Sequence, residues 1–392
     1  MKRKLLKLLA LSLFLLPFLL FFVEPTVTAS AEEESKQTLN ESVWEQIENL
    51  DLEELQAYLD GLDGFSDQSV AERLYDYVTG EAVDYKSFAS AMGDVLLKNV
   101  KNLLPAFLCV TAVTLLCGVV TTLKSGFAAA TSEKMIFLIA YTAALIPVLS
   151  VITECFSAAR ESVMEMRTQM QIVFPILLTL MSASGGATTA AICRPAVAFF
   201  STTIVSIIDG VVFPVTLTII AFSIATHLSP DLKFGKFVAF FKSINKWLIG
   251  ISISVFGVFF TLQGITAASY DGITRRAAKY AIGTGVPIVG GFLSGGFDLA
   301  IAGSALIKNS LGSMSVFLLV GVLFEPLLLL VSVNLLLRLT AAVTQPLGDN
   351  RISDFLGETA DNLNYCTAGL LFTAFLYFIC IVLLVCTSEA FL

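Results

Sequence analysis

Residues 314–337 read MSVFLLVGVLFEPLLLLVSVNLLL, a run of apolar side chains with a single charge at Glu325. About 20 such residues in a helix cross the ~30 Å hydrocarbon core of a bilayer. The stretch therefore reads as a membrane span, and it decides the class of the whole chain. Similar runs recur on either side, at 103–123, 135–152, 172–193, 196–226, 248–268, 283–305 and 367–387. The run 196–226 is too long for one simple span and is interrupted by Asp209-Gly210, which makes it either one long bent helix or a re-entrant pair.

Composition agrees. The 392 residues are 56% hydrophobic and 14% charged, with a mean hydropathy of +0.82. Soluble domains carry about 25% charged residues, so lipid must solvate much of this surface. The expected fold is an all-α, polytopic transmembrane helical bundle of about seven to nine spans.

The N-terminus differs from the rest. Lys2, Arg3, Lys4 and Lys7 precede an apolar run from Leu5 to Val23, followed by Ala29-Ser30-Ala31. This is the order of a secretory signal over 1–31, cleaved after Ala31 or Ala29, or else kept as an anchor. Either outcome places residue 32 outside the cytoplasm. Residues 32–90 then hold 16 acidic and 3 basic side chains. They read as short amphipathic helices: Ser42 with Glu45 and Ser69 with Glu72 have capping-box spacing. Val43, Trp44, Ile47 and Leu50 share one face, and Val70, Leu74, Tyr77 and Val78 another. Gly61 and Gly80 are candidate stops. A third stripe, Tyr85, Phe88, Met92, Leu96 and Leu103, leads into the first span. The organisation is thus a signal at 1–31, an acidic extracytoplasmic helical region at 32–100, and a multi-span membrane domain at 101–392.

Counting basic residues in loops does not settle the topology. Eight single passes place Arg275, Arg276 and Lys279 inside but leave Lys233, Lys236, Lys242 and Lys246 outside, and splitting 196–226 reverses the problem. The loop 228–247, with its phenylalanines among lysines, also fits an interfacial amphipathic helix.

Within the membrane part, two kinds of residue point to function. Seven of the eleven prolines lie in or at the ends of the spans. Proline removes a backbone donor, and in lipid the freed carbonyl needs another partner. Pro175, Pro214, Pro287 and Pro326, with Gly290 and Gly291, are the candidate breaks or hinges. Residues 173–180 (VFPILLTL) and 212–219 (VFPVTLTI) look like a short repeat. The ionisable residues are Asp209, Asp298 and Glu325; a charge at the bilayer centre costs about 2.5–3.5 kcal/mol, so each should face protein or water. They are the candidate conduit-lining or helix-packing groups. Small residues crowd 183–190 and 282–304, where helices can approach closely.

Catalytic chemistry is not expected. His227 is the only histidine, the seven cysteines lack metal spacing, and no G-x-x-x-x-G-K-[ST] loop occurs. No cofactor, no metal and no nucleic acid are called for.

One stretch carries a family resemblance: Asp271-Gly272-Ile273-Thr274-Arg275-Arg276-Ala277-Ala278-Lys279-Tyr280, continuing through Val286-Pro287-Ile288-Val289-Gly290-Gly291 to Leu306-Ile307-Lys308-Asn309-Ser310-Leu311-Gly312. With the Thr79-Gly80-Glu81 turn, it resembles the stage III sporulation protein AE family of endospore-forming bacteria. The resemblance implies a multi-pass protein of the mother-cell-derived membrane around the forespore. It would belong to a secretion-like channel complex with other stage III sporulation membrane proteins, a cytosolic ATPase and ring-forming proteins of the intermembrane space. Two roles follow: a subunit that forms or lines part of the conduit, or a scaffold that recruits the other components. A homo-oligomer is compatible with both.

Overall fold

The computed structural model describes residues 43–60, 69–79, 101–116, 119, 130–228, 234–285, 290–346 and 350–386. The signal segment, the stripe at 85–96, Gly61, Gly80 and Pro287 lie outside these residues. No strand occurs among the described residues.

Three short helices form an N-terminal cap: α1 (43–48), α2 (Glu53–Asp60) and α3 (Val70–Thr79). The capping box at Ser69 is made in both directions, Glu72 N–H to Ser69 Oγ at 3.2 Å and Ser69 N–H to Glu72 Oε2 at 3.0 Å. Two amides at the start of α3 are thereby satisfied. Val43, Ile47, Val70 and Leu74 are buried as their periodicity requires, while Trp44 stands at the rim, edge-on to Tyr75. The cap does not enclose a separate core. Its buried side chains, with Leu55 and Leu59, join the same apolar cluster as the membrane helices.

The membrane domain consists of α4 (Lys101–Leu116), α5 (Ala130–Met181), α6 (Ala187–Phe199), α7 (Phe213–Leu228), α8 (Gly235–Gly285), α9 (Gly290–Thr344) and α10 (Asn350–Cys386). Here the structure departs from eight separate crossings. The run 135–152 and the first part of 172–193 share α5, and 290–305 and 314–337 share α9. The reason is local: the segment 153–171, read as a connector because it is polar, contains no Gly or Pro, so nothing stops the helix. Among the described residues four stretches are long and apolar enough to span: Phe137–Leu228, Gly235–Phe259, Ile301–Thr344 and Asn350–Cys386. At 1.5 Å per residue the 52 residues of α5 extend ~78 Å, more than twice the hydrocarbon thickness.

The first stretch is two legs. At Gly185 φ is 95°, in the left-handed region open to glycine, and the backbone turns there within the wide-turn segment Ser182–Gly186. Beyond it the chain runs back along α5: Phe156 meets Phe213 and the Tyr141 hydroxyl donates to the Ile224 carbonyl at 3.0 Å. The run 196–226 is the bent helix rather than the re-entrant pair, widened by single π turns at Phe200–Ile204 and Ile208–Val212.

Among the described residues the span prolines do not break helices outright. Pro147, Pro175, Pro195 and Pro326 sit inside continuous helices, and Pro214 lies in the first turn of α7, directly after a π turn. The short repeat has a structural counterpart. Thr179 donates to the Pro175 carbonyl and Thr218 to the Pro214 carbonyl, both at 2.9 Å. Gly290 and Gly291 open α9.

Helix α10 runs up the centre. It is parallel to α5 (Tyr141 with Phe355, Phe174 with Tyr377) and to α8 (Phe256 with Phe375), and antiparallel to α9, whose Ala341 carbonyl accepts from Ser353. Gly369 lets α10 close on α7: a Cβ there would stand 3.0 Å from both Ile208 and Phe213 side chains. On α5 the exposed face is apolar from Met135 through Leu138, Ile139, Ile146 and Leu149, then becomes Arg160 and Glu161. Met135 to Thr153 spans ~27 Å, the thickness of a hydrocarbon layer. The exposed apolar residues of α8, Phe237 to Val258, cover a similar ~32 Å.

Candidate functional site

Of the three carboxylates singled out from the sequence, Asp209 and Glu325 share no hydrogen bond and no common partner. Asp209 accepts from Arg160 through Nε at 2.7 Å and Nη2 at 3.4 Å, in a surface pair where α5 meets the π turn before α7. Glu325 is exposed, not embedded between spans. In α9 it points outward while Pro326, Leu329 and Leu330 face the core. The Ser162 hydroxyl donates to the Val322 carbonyl, so the antiparallel register puts Glu325 level with Arg160, at the edge of the apolar belt. Of Asp298 only the backbone is described, within α9.

Two other polar assemblies are present. One joins the cap to the bundle. The Tyr58 hydroxyl of α2 donates to Glu165 of α5 at 3.1 Å and accepts from Gln169 at 2.8 Å, while Ser304 of α9 donates to Gln46 of α1 at 2.8 Å. Burial, with the Glu165 charge adding to it, pushes the Tyr58 phenol well above its ordinary value, so it remains a donor.

The other assembly crosses the bundle at one level of α10, residues 358–364. There Glu358 accepts from Lys242 at 2.8 Å and from Ser223 at 2.8 Å, with His227 Nδ1 at 3.8 Å; His227 Nδ1 also lies 2.8 Å from the Ser223 carbonyl. Next to it Asn245, fully buried, donates to Thr216 at 2.8 Å. Beside it Asn334 donates to the Ala360 carbonyl at 2.6 Å. Arg338 donates to Asn334 at 2.8 Å and to Asp361 at 2.6 Å. The exposed pair Arg338–Asp361 has side-chain exposures of 49% and 64%.

Its height is the informative quantity. Phe355 packs on Tyr141 in parallel helices, so Asp361 stands level with about residue 147 of α5, between the exposed Ile146 and Leu149. An ion pair thus lies open at mid-belt, at the height where α5 presents aliphatic side chains. Residues 350–366 fell outside the apolar run chosen for the last span, so Glu358, Asp361 and Asn362 were missed. The available signal was that GETADNLN, 357–364, contains no proline and one glycine, so that α10 continues through it. Lys242 and His227 were read as loop and span-end residues; folding places both on Glu358.

The family model of stage III sporulation protein AE matches residues 69–388. The chain is 24% identical over 335 residues to stage III sporulation protein AE of Bacillus subtilis (strain 168), covering 86% of this chain and 79% of that relative. No solved structure matches. With most of its length matched by the family model, the chain belongs to the stage III sporulation protein AE family, and a role in sporulation comes with that membership.

Proposed function

We propose that this chain is a non-enzymatic membrane subunit of a mother-cell-to-forespore secretion-like complex, and that it walls a conduit formed between chains rather than enclosing one. The observation that carries the reading is the Arg338–Asp361 pair, exposed at the height of the lipid-facing aliphatics of α5. Charges inside a membrane face a protein neighbour or water, because hydrocarbon disfavours them by several kcal/mol. The polar strip on α10 extends through Asp354, Asp361 and the half-buried Asn364. The interior of the single chain, by contrast, is filled by fully buried side chains such as Phe174, Leu363, Leu370 and Tyr377.

In this reading the cap lies outside the cytoplasm and the opposite end of the bundle lies inside. That orientation puts Lys236 and Arg351, at the starts of α8 and α10, on the cytoplasmic side, as the positive-inside rule asks, and Arg275, Arg276 and Lys279, near the end of α8, on the other. The energy for transport comes from a partner ATPase on the cytoplasmic side, and ring-forming proteins of the intermembrane space meet the cap. The second reading, a scaffold that lines no pore, is favoured by the cap being locked onto the bundle through Tyr58 and Gln46.

Cysteine accessibility separates the two. With a membrane-impermeant thiol reagent on sporulating cells, Asp354→Cys, Asp361→Cys and Ala368→Cys are expected to react, while Leu138→Cys, Ile146→Cys and Trp247→Cys are protected. Protection of the α10 strip, together with loss of assembly on deleting the cap, would establish the scaffold instead.

A further inference from the structure

The polar level of α10 does not stop at the two ion-pair clusters. Thr359 and Asn362 stand at the same level, three residues apart and so on one face of the helix. Both have zero exposure. The Thr359 hydroxyl and both polar atoms of the Asn362 amide have no hydrogen-bond partner among the described residues. By the registers already given, the buried residues at this height on neighbouring helices are Val148 of α5, Ile219 of α7, Ser332 and Val333 of α9 and Asn245 of α8. None of them bonds Thr359 or Asn362.

Buried polar groups in folded proteins are almost always satisfied, by protein or by bound water. Inside a bilayer no bulk solvent is at hand to do so. We propose that Thr359 and Asn362 form an internal water site that extends the Glu358–Lys242 cluster into the bundle, making this level of the membrane domain wet. The chemistry selects the occupant. An unpaired amide N–H needs an acceptor, while the amide oxygen and the hydroxyl oxygen need a donor. Water supplies both and makes about three hydrogen bonds in such sites. A cation would be repelled by the N–H and would find two side-chain oxygens, far short of the six or more that hard cations take. The site brings water to within one helical turn of a carboxylate that also faces His227. The inference does not rest on the conduit reading, since the site lies within one chain.

The experiment is X-ray hydroxyl-radical footprinting of the full-length wild-type protein in lipid nanodiscs, read by peptide mass spectrometry. Radiolysis of a held water oxidises its neighbours. Leu363, fully buried, is expected to be modified at a rate comparable with exposed leucines, while Leu376, equally buried on the same helix, stays unmodified. The variant Asn362→Leu is expected to lose the Leu363 modification and to melt at a lower temperature than wild type. Silence of Leu363 in the wild type overturns the site. So does a rise in melting temperature for Asn362→Leu, because removing a dry, unpaired amide stabilises. If Asn362→Leu does not fold, the wild-type footprint and Thr359→Val decide on the same terms.

Discussion

Gly312 and Gly321 lie nine residues apart in α9 and meet opposite surroundings. A Cβ on Gly312 collides with Val385 of α10 and touches Ile381 at 3.7 Å, whereas a Cβ on Gly321 meets nothing within 4 Å. Alanine at either position gains helix propensity of about 1 kcal/mol over glycine. Because the change and the helix are the same, that term cancels in the difference between the two variants. What remains is the cost of forcing α9 away from α10. Val385 is β-branched and stiff at χ1, so it cannot swing aside. Overpacking of this kind costs about 1–3 kcal/mol. At about 2 °C per kcal/mol for a large chain, Gly312→Ala should melt roughly 2–6 °C below Gly321→Ala. The buried thiols of Cys155, Cys193, Cys366 and Cys380 supply the assay, since a thiol-reactive dye reports their exposure as the bundle opens. Combining Gly312→Ala with Val385→Ala should recover most of the loss. Equal melting temperatures for the two alanine variants would show that α9 and α10 do not close at Gly312, and the antiparallel register would fail with it.

Three further outcomes follow from named contacts. Lys242→Met alone should destabilise by about 1–2 kcal/mol, intermediate between exposed and buried ion pairs because both partners are partly exposed. Adding Glu358→Gln should return most of it, as a thermal double-mutant cycle would read. Tyr58→Phe removes the donor to Glu165 and an acceptor for Gln169; a loss of about 1–2 kcal/mol is expected to appear as faster proteolysis of the cap with the bundle intact. Ser69→Ala should cost about 1 kcal/mol and be felt as faster hydrogen exchange confined to the start of α3.

Much of the fold is legible in the residues, and so is the reason for what is not. The capping box at Ser69 and the buried faces of α1 and α3 depend on groups within one helical turn, and they fold as their spacing predicts. Span boundaries were overdrawn because a polar stretch such as 153–171 lowers hydropathy without stopping a helix. Glu325 looked embedded because its sequence neighbours are apolar. Yet whether a residue of α9 faces core or surroundings depends on helical phase, and Glu325 falls on the outer side. The polar level at Glu358 was invisible for another reason: its members lie on α7, α8, α9 and α10, with bonded partners up to 135 residues apart.

Read alone, the amino-acid order determined that this protein is helical, that it belongs in a membrane, and which of its ends carries the acidic cap. Hydropathy and helix capping are short-range properties, fixed by side chains within a few turns. Tertiary structure alone decided that the chain doubles back at Gly185, that the cap rests on its own bundle, and that an ion pair and an unpaired amide share one level of α10. Those outcomes depend on which helices lie side by side, and a side chain's neighbours across a helix interface are set by packing rather than by its place in the chain.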